Sequence, residues 1–100
     1  MSYPERVVAA RRLAILLAIY FAPAYTLNRL ALRDTVEKTG YVMSSDLFTA
    51  ELAWLEEMGL IEGVTIHAVT LTERGADVAL GRSQTPGVRR PGPGEINGAQ

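Results

Sequence analysis

Residues 40–71 read GYVMSSDLFTAELAWLEEMGLIEGVTIHAVTL, and the fold turns on that stretch. Ser44 or Ser45 suits a helix N-cap, because a serine hydroxyl accepts a bond from an orphan N–H of the first turn. Asp46 follows where the helix dipole favours an anion. The spacing predicts a helix from Ser45 to Met58, closed by Gly59 in the left-handed conformation, with Leu60 packing back on Leu55. On a wheel turning about 100° per residue, Leu47, Phe48, Ala50, Leu52, Trp54, Leu55 and Met58 fill one broad apolar arc. Asp46, Thr49, Ala53, Glu56 and Glu57 fill the opposite arc. Glu51 falls among the apolar residues and needs a cation if it is buried there; an arginine is expected.

Downstream, Leu60, Ile61, Val64, Ile66, Val69 and Leu71 are rich in β-branched types, which predicts two short antiparallel strands, a ribbon. Thr72-Glu73 then caps a short last helix, ended by Gly81. From Arg82 the composition shifts to Ser, Pro, Gly, Gln and Asn, with too little apolar surface to offset the entropy of ordering. Residues 1–81 are therefore expected to form one domain, and 82–100 a flexible basic tail, disordered or extended.

Upstream, Ser2-Tyr3-Pro4-Glu5 has the form of a capping box, and Val7 to Ala22 reads as a long helix. From Leu13 to Ala22 it is apolar all round. A membrane span needs about 20 such residues, more than this run supplies. A signal peptide is suggested by Arg11-Arg12 and by Ala22-Pro23-Ala24, yet Glu5 spoils the basic start, and cleavage would remove the longest helix. The remaining reading is a helix buried on two faces, one in its own core and one against a second copy. That predicts a homodimer through Leu13, Leu16, Leu17, Tyr20 and Phe21. Pro23 ends the helix. Asn28 caps RLALRDTVEK, with Leu27 placed to staple onto Leu32, and Gly40 terminates it. The expected fold is mainly α with a small β-ribbon: a winged helix-turn-helix with a long N-terminal helix and an extended or disordered C-terminal tail.

Composition narrows the function. One hundred residues hold one modest core. Without cysteine there is no disulfide, no thiolate and no Cys-based metal site, and a reducing cytoplasm is compatible. His67 stands alone in the ribbon and is expected to face solvent or serve the structure. No Gly-rich phosphate loop and no metal-ligand spacing occur, and Glu56-Glu57 diverge on a helix, so no enzyme, cofactor or metal is expected. The net charge is −1, but residues 82–100 carry Arg82, Arg89 and Arg90 against Glu95 alone.

Leu52-Ala53-Trp54-Leu55-Glu56-Glu57-Met58-Gly59-Leu60-Ile61, followed by Leu71-Thr72-Glu73-Arg74-Gly75, resembles winged-helix proteins of the ArsR and MarR kind. More closely, the chain from Tyr3 to Arg90, with its PGVRRP at Pro86–Pro91, is similar to a family of small proteins from Mu-like phages and prophages often labelled ArsR-like regulators. The resemblance implies a helix entering the DNA major groove through Ser45, Asp46, Thr49, Ala50 and Ala53. None of these is an arginine, lysine, asparagine or glutamine, so the common bidentate base contacts are missing. Two functions follow. In the first, a dimeric phage or prophage regulator binds duplex DNA through Arg29, Arg33, Arg74, Arg89 and Arg90 beside the helix. In the second, a winged helix serves phage assembly or packaging, offering Asp46, Glu56 and Glu57 to a basic protein.

Overall fold

The chain opens on the expected cap. The Ser2 hydroxyl accepts from the Glu5 N–H at 3.3 Å, and the Glu5 carboxylate accepts from the Ser2 N–H at 3.2 Å. The computed structural model describes residues 2–96; Met1 and the tail's last four positions, 97–100, lie outside the described residues. In chain order it contains α1 (Tyr3–Tyr20), β1 (Thr26–Asn28), α2 (Arg29–Lys38), α3 (Ser45–Glu57), β2 (Ile61–Glu62), β3 (Ala68–Leu71) and α4 (Glu73–Ala79). The architecture is mainly helical with one small antiparallel sheet. Among the described residues, no helix is long and apolar enough to cross a membrane.

The local signals set the boundaries to within a residue or two. Ser44, not Ser45, caps α3, its hydroxyl accepting from the Leu47 N–H at 3.1 Å. At the other end Gly59 sits at φ +78°, its N–H donates to Glu56 O, and the Leu60 N–H donates to Leu55 O, both at 3.0 Å. This two-bond closure is the Schellman arrangement, and Leu55 and Leu60 are both fully buried beside it. Asn28 caps α2 by accepting from the Ala31 N–H at 2.7 Å. Helix α1 stops at Tyr20, two residues before the expected end. Ala24 and Tyr25 then take left-handed conformations that turn the chain into β1.

Strand β1 was not expected. Three residues carry too little pattern to announce a strand, and its pairing is with β3, which lies about 40 residues further along the chain. The sheet order is β1-β3-β2, with Thr26 opposite Thr70 and Ile61 opposite Leu71. The Thr26 and Thr70 hydroxyls meet at 3.0 Å. The expected two-stranded ribbon is therefore the outer part of a three-stranded sheet. Thr72 joins this sheet to α3 and α4 together: its hydroxyl donates to Gly59 O at 2.7 Å and accepts from the Gly75 N–H at 2.9 Å. A methyl group at Gly75 would meet the Leu60 carbonyl and the Leu71 side chain, which explains the glycine of the Leu71–Gly75 motif.

The core draws Leu13, Ile15, Leu16 and Ile19 from α1, Leu32 and Val36 from α2, Phe48, Leu52 and Leu55 from α3, and Ile61 and Val69 from the sheet. Glu51 is 3% exposed within it, and an arginine was expected there. Two are present. Arg11 Nε donates to Glu51 at 2.7 Å and Arg12 Nε at 2.9 Å, while the Arg12 guanidinium lies 3.8 Å from the Trp54 ring centroid.

Three expectations need correction. Leu13 and Leu16 are not available to a partner copy, because both are fully buried in the chain's own core. Ala50, placed on the apolar arc, is exposed. The third concerns the tail, which from 82 to 96 is laid against the body rather than free. Thr85 is 1% and Val88 7% exposed, the Arg89 N–H donates to Ala9 O at 3.1 Å, and Arg12 Nη1 donates to Gly87 O at 3.3 Å. Gly87, at φ +96°, lets the strap close on the Trp54 ring, where a Cβ would come within 3.0 Å. A few anchors, Val88, Gly87 and the arginines, hold a segment whose average composition is that of a linker.

Candidate nucleic-acid interface

Helices α2 and α3 begin at neighbouring points, and the turn between β2 and β3 closes on the same place. Together they enclose a concavity of about 340 Å³ lined by Asn28, Arg29, Leu30, Arg33, Ser45, Phe48 and His67. Both arginines are held by the protein itself. Arg33 Nη2 donates to the Met43 carbonyl at 2.8 Å. Arg29 Nη2 donates to the Thr49 hydroxyl, and its guanidinium sits 5.7 Å from the Phe48 ring. That hydroxyl donates in turn to Ser45 O at 2.9 Å. His67 reaches the rim from a left-handed residue, φ +59°, which ends the turn of 3-10 helix Val64–Ile66. Among the described residues, no carboxylate lines the concavity.

Ser45, Asp46, Thr49, Ala50 and Ala53 all face solvent along α3, so the residues assigned to the DNA-facing side lie on one open face. The proposed cations divide. Arg29 and Arg33 stand together beside Ser45 and Thr49. Arg74 is exposed near Gly59, at the other end of α3, about 20 Å away for a helix of this length. Arg89 and Arg90 lie elsewhere again, on the strap that crosses α1. Arg89 forms a two-toothed pair with Glu95 at 2.8 and 2.7 Å, and Arg90 Nη2 donates to Gly81 O at 3.1 Å. The hydrogen bonds from Arg89 hold the Glu95 carboxyl below the usual carboxylate range. The tail arginines are thus intrachain partners, not an arm beside Arg29 and Arg33.

The acidic side chains also separate. Asp46 and Glu57 are exposed, whereas Glu56 is half-buried and accepts from the Val64 N–H at 3.3 Å. Glu56 therefore braces the ribbon turn, which removes it from the free acidic face. Asn28 and His67 were missed as lining residues: a cap and a lone histidine carry no spacing signal, and only the meeting of α2 with the ribbon brings them together. Among the described residues, no group of three or more His, Cys, Asp or Glu is placed to hold a metal ion.

A second surface runs along the outside of α1. Ala10, Ala14, Leu17, Ala18 and Phe21 line a groove of about 560 Å³ together with Leu27, Tyr41 and the Arg89–Glu95 pair. Leu17 and Phe21 were expected at a partner contact and lie here, while Tyr20 turns toward Tyr25, ring centroids 5.7 Å apart.

These features define a small, mainly helical protein with a three-stranded antiparallel sheet and a cationic concavity at the start of two helices. Over 69 residues, 66% of this chain and 72% of the relative, the sequence is 38% identical to the uncharacterized protein gp26 of Escherichia phage Mu. The chain belongs to the family of that phage protein. No protein-family model matches the chain. No solved structure matches it.

Proposed function

We propose that this protein is a winged-helix DNA-binding protein, a phage or prophage transcriptional regulator acting as a homodimer. The element order supports a winged helix: helix, short strand, helix, turn, helix, then a ribbon paired back onto the first strand. The observation that carries DNA binding is the placement of Arg29 and Arg33 against the open N-terminal face of α3. In a groove-entering helix of this type, first-turn residues approach the bases while flanking cations neutralise phosphates. Arg29 and Arg33 from two protomers make four such cations. The logarithm of the binding constant is then expected to fall against the logarithm of salt with a slope of about −3 to −4. A gel-shift series in rising salt on random duplex tests this, with Arg29→Gln and Arg33→Gln each lowering the slope. No shift at low salt overturns the proposal.

A second reading is favoured by one specific observation. Leu30, Val42 and Ile66 are 79, 75 and 73% exposed, and Leu30 lines the same concavity as Arg29. Leu30 shares its concavity with Ser45 at the start of α3, where Asp46 is also exposed, and such apolar side chains suit a protein partner in phage assembly or packaging. In that case the duplex fails to shift at any salt, and Leu30→Ser abolishes capture of a purified assembly protein.

A further inference from the structure

We infer that the concavity between α2, α3 and the ribbon turn is a seat for one phosphate group, formed before any nucleic acid arrives. It rests on the same surface as the DNA-binding proposal, but its ligand is the phosphate itself, as monoester or diester. The donors converge from three elements. Arg29 and Arg33 each spend an Nη2 on an internal acceptor, the Thr49 hydroxyl and the Met43 carbonyl, which leaves the rest of each fork for a ligand. Asn28 uses its Oδ1 to cap α2, so its side-chain NH2 group is left to donate. Ser45 contributes a hydroxyl and His67 an imidazole at the rim.

Charge and shape select the ligand. Among the described residues no carboxylate lines the site, so none of them offsets the two guanidinium charges there. Donors arriving from several directions suit a tetrahedral oxyanion better than a flat carboxylate, and arginine forks match phosphate oxygens. The volume, about 340 Å³, lies at the small end of ligand pockets, enough for a phosphate and its attached sugar. Because internal acceptors fix the forks, less side-chain entropy is lost on binding. A phosphomonoester, which carries more charge than a diester, is the tighter ligand of the two.

The test follows the arginine Nε and Ser45 amide signals of the labelled full chain by NMR while inorganic phosphate is added, with chloride at matched ionic strength as control. Parallel titrations use adenosine monophosphate and a short duplex with and without a 5′-phosphate. Saturable shifts at Arg29, Arg33 and Ser45 with phosphate and not with chloride are expected. Arg33→Gln should weaken phosphate binding at least tenfold. Because Arg33 also holds Met43, the second variant is Ser45→Asp, which places a carboxylate in the seat at a helix start where acids are tolerated. It should fold normally and bind phosphate at least tenfold more weakly. Equal responses to phosphate and chloride, or phosphate binding unmoved by Ser45→Asp, overturn the seat. If phosphate binds but duplex never does, the DNA proposal falls and the seat stands. If duplex shifts while phosphate does not bind, the seat falls and the DNA proposal stands.

Discussion

At the scale of single residues, Glu51 shows how a charge on an apolar arc sets a requirement elsewhere. Its carboxylate is buried and is held by two guanidinium groups that are themselves only 15 and 17% exposed. Glu51→Ala strands both arginines without a counter-charge, and breaking such a buried pair costs about 3–5 kcal/mol. Urea unfolding should show that loss; a change below about 1 kcal/mol would mean the arginines escape to water. The need for a cation was legible in the sequence, but the identity of the partners was not, since nothing local says which face of α1 turns toward α3. Glu95 makes a different prediction. Arg89 lowers its carboxyl pKa in the folded state, so the pair adds stability above the ordinary glutamate value. That contribution is lost as pH falls through the depressed folded value. The protection of the Val88 amide against hydrogen exchange, its rate taken relative to the intrinsic rate at each pH, should therefore fall as the solution is acidified from neutral in the wild type. In Glu95→Gln that protection should be lower already at neutral pH, with a flatter dependence.

At the scale of elements, the two glycines around α3 and α4 separate strain from collision. Gly59 closes α3 in the left-handed region, with only the Arg74 Cδ, 3.9 Å away, near the place a methyl would take. Gly59→Ala should cost about 1–2 kcal/mol, the ordinary penalty for a side chain in that conformation. Gly75 has no such backbone demand, but a methyl there strikes the Leu60 carbonyl, and backbone cannot swing aside as a side chain does. Gly75→Ala should cost about 3 kcal/mol, at the upper end of overpacking penalties, and should loosen α4 first. Differential scanning calorimetry on the two variants orders them; a milder Gly75→Ala would show that α4 shifts without loss. Caps at Ser2, Asn28, Ser44 and Thr72 were legible because each acts within three residues. Strand β1 was not, because Thr26 and Leu27 become a strand only opposite Thr70 and Val69. The same holds at the candidate interface. Arg29, Arg33 and Ser45 could be placed from helix starts, whereas His67 joins them through the path of a turn.

At the scale of the whole molecule, α1 carries two apolar faces, and among the described residues one is fully buried while the other is only half-covered. Leu13, Leu16 and Ile19 are fully buried, while Ala10, Ala14, Leu17 and Phe21 line the open groove on the other side. Between Val7 and Ala22 the only charges are Arg11 and Arg12, and both turn inward to Glu51. In the groove's lining, Arg89 and Glu95 lie side by side. A two-fold axis can set each against its opposite on the second copy, so the surface matches itself in charge as well as in apolar character. The proposed homodimer should therefore respond differently to aspartate at neighbouring positions. Leu17→Asp puts a charge on a half-buried position at the groove, from which the carboxylate still reaches water, and should give a folded monomer of lowered stability. Leu16→Asp buries an unpaired charge in the core, at a cost of several kcal/mol, and should unfold the chain. Light scattering gives the mass and circular dichroism the helix content of each. The strap takes part in the same wall, so truncation after Gly81 should lower stability by about 2 kcal/mol from Val88 alone, or roughly 8–16 °C in Tm for a domain of this size. It should also weaken the dimer, since Arg89 and Glu95 leave with it. A wild type of monomeric mass at high concentration would leave the outer face of α1 to some other partner. Two sets of Arg29 and Arg33 would then no longer be joined on one molecule, and the salt slope expected for DNA would halve.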